Sequence, residues 1–478
     1  MLRSLGLIYL LFVGILSLFI SCEEKTDSKN VSDSDSKTYD LIEVKSSGKL
    51  KALVDNSSTS YFVYKGTPMG FEYELLSRFA KAIDVELEVK PVKDLNNIID
   101  SLLSYEGDVI AANLTVTRDR TQNVSFTKPL IRSKQVLVQR FPNKDDEALA
   151  LVERPSELLG KEVYVRKNSS FYNRLLNLSD EIGGEIYIKE VASNTTVEQL
   201  IKKVAKGEID YTVADEHVAK INKAFYPNLH IKTAISLEQQ IAWAVRKESP
   251  DLLIAINEWL RHFKKTTDYR VIYLKYFGNT TLYRTRVRSQ LFTSKSGQLS
   301  PYDQIVKKYA KETGWDWRLL TSLIYQESQF NHSAVSWTGA QGLMQLMPTT
   351  AAEYGLDSSA GPHQNISAGI EYLEWINNQF KEKVSDPEER KKFVLAAYNV
   401  GLGHVFDAIR LAEKNGKETT IWNNNVAEML LNKAKPEYYN DEVVYYGYCR
   451  GSEPYKYVNE ILSRYEHYKN ITEQVSEL

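Results

Sequence analysis

The chain is poor in the residues that build metal centres and covalent frameworks. Its 478 residues include two cysteines and seven histidines. No Cys and His cluster has metal-ligand spacing, and the histidines are scattered, so neither a metal nor a cofactor is expected. Charge of one sign is lacking too: 60 Lys and Arg stand against 62 Asp and Glu, mixed along the chain. Without a basic stripe, nucleic acid is not an expected partner. Long apolar runs are confined to one place, Leu5 to Ile20.

That run follows Arg3 and closes at Ser21-Cys22, so it reads as a targeting segment to be kept out of fold reasoning. It resembles a bacterial lipoprotein signal in which Cys22 follows the cleavage point and is lipidated, with Phe19 where Leu is usual. Glu23 after the lipid Cys leans towards the outer membrane, facing the periplasm. Residues 22–40 are rich in Ser, Asp and Lys and read as a disordered tether. With Cys22 lipidated, Cys449 has no partner for an intramolecular disulfide. It stands in Tyr445-Tyr446-Gly447-Tyr448-Cys449, where it is expected to pack as a small hydrophobe.

At roughly 150 residues per domain the length favours several folded units. Residues 41–278 run as short strand, helix, short strand. Lys49 to Val54 is strand-like, Phe71 to Ala82 is an amphipathic helix and Val85 to Val89 alternates, which predicts an α/β module. Residues 279–299 shift to Thr, Arg, Ser and Gly with little periodicity and read as a linker, its three Arg as a solvated face. From Ser300-Pro301-Tyr302-Asp303 onward helices dominate: 302–313, 317–329, 348–354, 366–381, 387–398 and 454–468.

The segment from Trp317 to about Gln329 carries the sharpest signal. Asp316 can cap it, and Leu320, Leu323 and Glu327 recur at spacings of three and four, so a carboxylate sits on the apolar stripe. Burial disfavours the charged form and equips such a group as a general acid near neutrality. Taken alone, a helix-end Glu that reaches water or a basic partner is the commoner case. Two further motifs stand downstream, Gly342-Leu343-Met344-Gln345-Leu346-Met347-Pro348 and Ala396-Ala397-Tyr398-Asn399.

Together with Glu327-Ser328-Gln329-Phe330 these blocks resemble the active site of the soluble lytic transglycosylase family, over residues 300–478. The resemblance implies a mostly α, lysozyme-like domain that cleaves peptidoglycan glycan strands. It implies Glu327 as sole catalytic acid and base, acting between N-acetylmuramic acid and N-acetylglucosamine to leave a 1,6-anhydro ring, so that the enzyme is a lyase. Ser328, Ser336, Met344, Gln345, Tyr398, Asn399 and Tyr457 are the implied substrate-site residues. Glu353 and Asp357, in no recognisable motif, are expected at the surface.

The front block resembles the periplasmic solute-binding proteins of the polar amino-acid family, through Gly70 to Leu76, Gly107 to Ala111, Leu114 to Arg120 and Phe126 to Leu130. This implies two α/β lobes closing on an amino acid or muropeptide. Arg120 would grip its carboxylate, Asn113, Thr115, Ser169 and Ser170 would add polar contacts, and Asp215 would take its amino group. Tyr61, Phe62 and Tyr64 either crowd the mouth or belong to the core.

The expected architecture is therefore a two-lobed α/β periplasmic-binding-protein module followed by a mostly α lysozyme-like domain. The combination resembles the membrane-bound lytic murein transglycosylase F family, in which the front module is regulatory. Two alternatives stay open: a goose-type lysozyme that releases reducing ends, and a solute-binding lipoprotein whose tail only binds glycan.

Overall fold

The computed structural model describes residues 39–475 apart from 93, 143–150, 193–194, 294–296 and 358–359. The signal segment, Cys22 and most of the tether lie outside the described residues. No described helix is long and apolar enough to cross a membrane.

The first lobe is a five-stranded sheet in the order Glu86–Pro91, Lys49–Val54, Val109–Ala111, Ala244–Arg246, Val124–Phe126. Its first three strands are parallel, and the return strand Ala244–Arg246 pairs antiparallel. The second lobe repeats the plan in the order Tyr187–Val191, Glu162–Arg166, Tyr211–Asp215, Gln135–Arg140, Leu229–His230. A two-stranded ribbon joins the lobes, Ile131–Ser133 paired with Gln239–Ile241. In open α/β sheets ligands bind beyond the carboxyl ends of the parallel strands. Here those ends deliver Asp55, Asn113, Arg166 and Asp215 to one cleft.

Asp40, expected in the tether, belongs instead to the folded module. Its carboxylate caps the Leu41–Ser47 helix and accepts from the amides of Asp251 and Leu252 at the start of the Pro250–Phe263 helix. The expected linker also needs correction. Thr280–Arg288 is a helix whose Tyr283 and Arg286 are buried. Arg286 lies over the rings of Phe62 and Tyr276, so this arginine is a core residue and not part of a solvated face. Tyr61 and Phe62 are fully buried, which places them in the core and not at the mouth of the cleft.

The C-terminal domain is helical around one core. The helix 302–313 expected from Ser300-Pro301 starts at Asp303, whose buried carboxylate accepts from the Ser300 amide and hydroxyl. The helix expected at 366 begins a turn earlier, at Pro362, and the one expected over 454–468 runs from Ser452 to Val475. Leu402–Lys414 adds a helix after Gly401. Cys449 is buried in this core, as its aromatic setting suggested.

The long final helix ties the two modules together. Its N-terminal half packs on the Trp317–Ser328 helix, while Tyr468 and Ile471 enter the core of the first lobe. His467 meets the Tyr61 hydroxyl at 2.8 Å, and the Tyr468 hydroxyl donates to the Gly66 carbonyl at 2.8 Å. The Asn470 amide donates to the Val89 carbonyl at 2.7 Å.

Candidate active site

Glu327 stands one residue before the end of the Trp317–Ser328 helix, which Asp316 caps by accepting from the Arg318 amide. Leu320 and Leu323 are fully buried on the same stripe. The helix ends abruptly, with Gln329 and Phe330 both left-handed at φ 50° and 65°. Non-glycine residues there cost on the order of 1–3 kcal/mol each, a strain that persists where surrounding contacts fix it. Glu327 itself is half-buried.

Burial lifts the acidity constant of Glu327 to about 7, against an opposing pull from the Tyr457 hydroxyl. That phenol, nearly fully buried on the final helix, donates to Oε1 of the carboxyl. No second carboxylate contributes to the shift. Tyr398 approaches from the Pro387–Val400 helix and senses the charge of Glu327.

The loop around Met344 is organised from behind. Gly342 is left-handed at φ 81°, and a Cβ there would lie 2.4 Å from the Asn365 amide nitrogen. Asn365 Oδ1 accepts from the Met344 amide at 2.8 Å, and the Met344 carbonyl accepts from the Tyr398 hydroxyl at 2.8 Å. Tyr398 therefore links this loop to the acid.

Several expected contacts are made differently. The Met344 side chain is fully buried against Gly369, and its backbone carbonyl is the group that meets Tyr398. Gln345, left-handed at φ 47°, donates to the carbonyls of Ala334 and Gly342. Its amide donors hold the loop. Ser328 donates back to the Ile324 carbonyl, and Ser336 bonds Thr338 and the Ala340 amide within its own turn. Neither hydroxyl orients Glu327. Asn399 is exposed at its helix end, and Glu353 and Asp357 are exposed.

An aromatic wall continues outward from Tyr398. Tyr372 lies 5.4 Å from it between ring centroids, and Trp375, 46% exposed, stacks on Tyr372 at 5.9 Å. Their i, i+3 spacing on the Pro362–Phe380 helix was the available sequence signal.

In the front module Asn113, Thr115, Arg120, Ser169, Ser170 and Asp215 all line one cavity of about 70 Å³. Lobe meets lobe across it. Asn113 donates to Asp215 at 2.9 Å, Ser170 to Thr115 at 3.3 Å, and Ser58 to Glu198 at 2.8 Å. Burial raises Asp215 to about 7 and Asp55 to about 6, and lowers Arg120 to about 10. The Ser169 hydroxyl caps the Ser170–Ile182 helix and donates to the Arg166 carbonyl, so it is already engaged. Glu72, within the Gly70 to Leu76 block, accepts from Trp243 and from the Asn113 amide, holding Asn113 at φ 52°.

This geometry matches the family comparisons. Residues 304–421 match the Transglycosylase SLT domain and 50–279 match the Bacterial extracellular solute-binding proteins, family 3. Fold and site thus define a peptidoglycan-cleaving lytic transglycosylase, a lyase, behind a solute-binding module. Two "Membrane-bound lytic murein transglycosylase F" proteins align along nearly the full length. That of Desulfosudis oleivorans is 36% identical over 89% of this chain and 91% of its own. That of Pseudomonas fluorescens is 32% identical over 96% and 90%. The chain belongs to the membrane-bound lytic murein transglycosylase F family. Among solved structures, the P235GK mutant of ArgBP from T. maritima aligns with 50% of this chain and 99% of its own, at 29% identity and a TM-score of 0.43.

Proposed function

We propose that Glu327 alone supplies the acid and the base of a non-hydrolytic cleavage. Its protonated carboxyl gives its proton to the oxygen linking muramic C1 to the next sugar, and the C1–O bond breaks. Positive charge develops at C1 beside the new carboxylate. The same carboxylate then takes the proton of the muramic C6 hydroxyl, whose oxygen bonds to C1 and closes a 1,6-anhydro ring. Glu327 ends protonated, ready for the next bond. A group that must serve both ways works best with an acidity constant near the working pH, and about 7 suits that.

The observation that carries this reading is a single carboxyl, set by burial and one phenol, with no carboxylate neighbour among the causes of its shift. Ordinary glycosidases need a second carboxylate as nucleophile or base. Tyr457 favours the ionised form as the proton leaves, while Tyr398 fixes the Met344 loop. Digesting purified peptidoglycan with the wild type and with Glu327→Gln, and reading soluble products by mass spectrometry, tests it. Anhydro-muropeptides from the first and none from the second support the reading, and reducing ends from the wild type refute it.

Cys22 is read as a lipid anchor that holds the chain in the cell envelope, on the outer membrane and facing the periplasm. Labelling with a palmitate analogue, lost in Cys22→Ala, checks this. The front module is read as a regulatory site for an amino acid or a muropeptide, with Arg120 on its carboxylate and Asp215 on its amino group. Support for coupling comes from the turn at Gly66, where a Cβ would lie 2.5 Å from the Tyr325 ring and 2.8 Å from Phe330, both flanking Glu327. Thr67 also meets the Tyr325 hydroxyl at 2.8 Å. A ligand that binds yet leaves turnover and glycan affinity unchanged would sink the regulatory role.

A further inference from the structure

The hydrogen bond that tunes Glu327 joins two helices far apart in sequence. Glu327 stands near the end of the Trp317–Ser328 helix, and its partner Tyr457 on the Ser452–Val475 helix. A catalytic contact tolerates errors of only about 0.5 Å, so one helix has to be fixed in register against the other close to the acid. Apolar residues of the shared core, Ile324 and Ile461 among them, hold the helices together, but such contacts have no direction.

Gln326, the residue before Glu327, supplies the direction. Its side-chain amide nitrogen donates to Glu460 Oε2 at 2.9 Å, and its amide oxygen accepts from the Arg464 guanidinium at 2.9 Å. Glu460 and Arg464 follow Tyr457 at spacings of three and four, so all three stand on one face of the final helix. Arg464 also donates to the Ser322 carbonyl at 3.2 Å, one turn back on the helix of the acid. A carboxylate on one side and a guanidinium on the other demand a donor and an acceptor from the same side chain. Among side chains of this reach glutamine has both, whereas ionised glutamate lacks the donor, lysine lacks the acceptor, and methionine lacks the donor and accepts weakly.

We infer that Gln326 is a positioning residue for the cleavage, gripping Glu460 and Arg464 so that Tyr457 stays in register with the carboxyl of Glu327. The inference rests on the reading of Glu327 as the acid. With both ends of its amide engaged, Gln326 acts through the final helix.

The test is the pH dependence of muropeptide release from purified peptidoglycan by the full-length protein in mild detergent. It compares wild type, Tyr457→Phe, Gln326→Met and the variant carrying both changes. Cleavage starts from protonated Glu327, so kcat/KM falls as pH rises through its acidity constant, and losing a donor to the ionised form moves that fall to higher pH. Gln326→Met keeps the length of the side chain and removes its donor. It is expected to raise the alkaline limb by about 0.5–2 pH units, the upper end being full loss of the Tyr457 hydrogen bond. It should also lower kcat by about tenfold, within the roughly hundredfold that a misplacement of about 1 Å can cost. In the double variant the limb should stand where Tyr457→Phe alone puts it, because both changes remove one interaction. Should Gln326→Met not fold, Glu460→Ala decides from the other side. Deleting a carboxylate would by charge alone lower the acidity constant of Glu327, so a limb that rises in this variant reports lost positioning. A limb that stays in place in the folded variant, or shifts that add in the double variant, overturns the role of Gln326 and leaves the acid standing. Wild-type activity in Glu327→Gln overturns instead the reading beneath it.

Discussion

Tyr457→Phe removes one hydroxyl and keeps the ring that fills the core. Two effects set the acidity of Glu327: burial, which raises it, and the Tyr457 hydrogen bond, which lowers it, to a net value of about 7. A donor to the ionised form stabilises that form, so losing it raises the acidity constant further. A hydrogen bond to a charged group contributes about 1.5–3 kcal/mol. At 1.36 kcal/mol per unit, the rise is about one to two units. The first step needs the protonated acid, so the alkaline limb of kcat/KM should move from near pH 7 to between about 8 and 9. The transition state also loses stabilisation of the developing carboxylate, so kcat should fall by about tenfold to a hundredfold. Initial rates of muropeptide release from about pH 5 to pH 9 measure both effects. An alkaline limb that stays in place, or moves to lower pH, refutes the role given to Tyr457.

The buried acid should also cost stability. The folded-state value of Glu327, about 7, lies above its ordinary 4.5. The native state is therefore favoured below pH 4.5, and that advantage fades as pH rises through 7. Glu327→Gln should accordingly match the wild type in acid and exceed it by about 3 kcal/mol at pH 8 in denaturant unfolding. Lys433 and Asp407 are fully buried partners at 2.5 Å, and Asp407 also accepts from the amides of Tyr445 and Tyr446. Lys433→Met leaves Asp407 with Arg410 and the two amides and should cost about 1.5–3 kcal/mol of stability, the worth of one hydrogen bond to a charged group, read by the same unfolding assay. Trp375→Ala should raise KM for glycan strands by about twofold to tenfold with kcat unchanged, since the exposed ring is placed to stack on sugar faces; a fall in kcat alone would contradict this.

Much of the fold was legible because local chemistry and tertiary packing agree. Asp316 before Trp317 marked a helix start, and the cap is made. The strand-like run Lys49 to Val54 and the alternation over Val85 to Val89 placed two neighbouring strands of the first lobe. Thr280–Arg288 escaped because its buried face is a tyrosine and an arginine, and a guanidinium packed on two aromatic rings leaves no apolar period to detect. Residue types at the active site were legible and their orientations were not. Met344 and Gln345 lie where the motif put them, yet a left-handed backbone at Gln345 and the hydrogen bond from Asn365 turn one side chain into the core and fold the other onto its own loop. Arg166 stayed invisible for a related reason: only the folded cavity sets an arginine at a strand end beside Asp55 and Asp215.

The central claim is that the C6 hydroxyl of the substrate, deprotonated by Glu327, and not water, attacks C1. Digestion of purified peptidoglycan in water enriched with oxygen-18 tests this most directly. The account predicts anhydro-muropeptides at natural isotopic mass, with no label at the new muramic end. Reducing-end products carrying one oxygen-18 atom would contradict it.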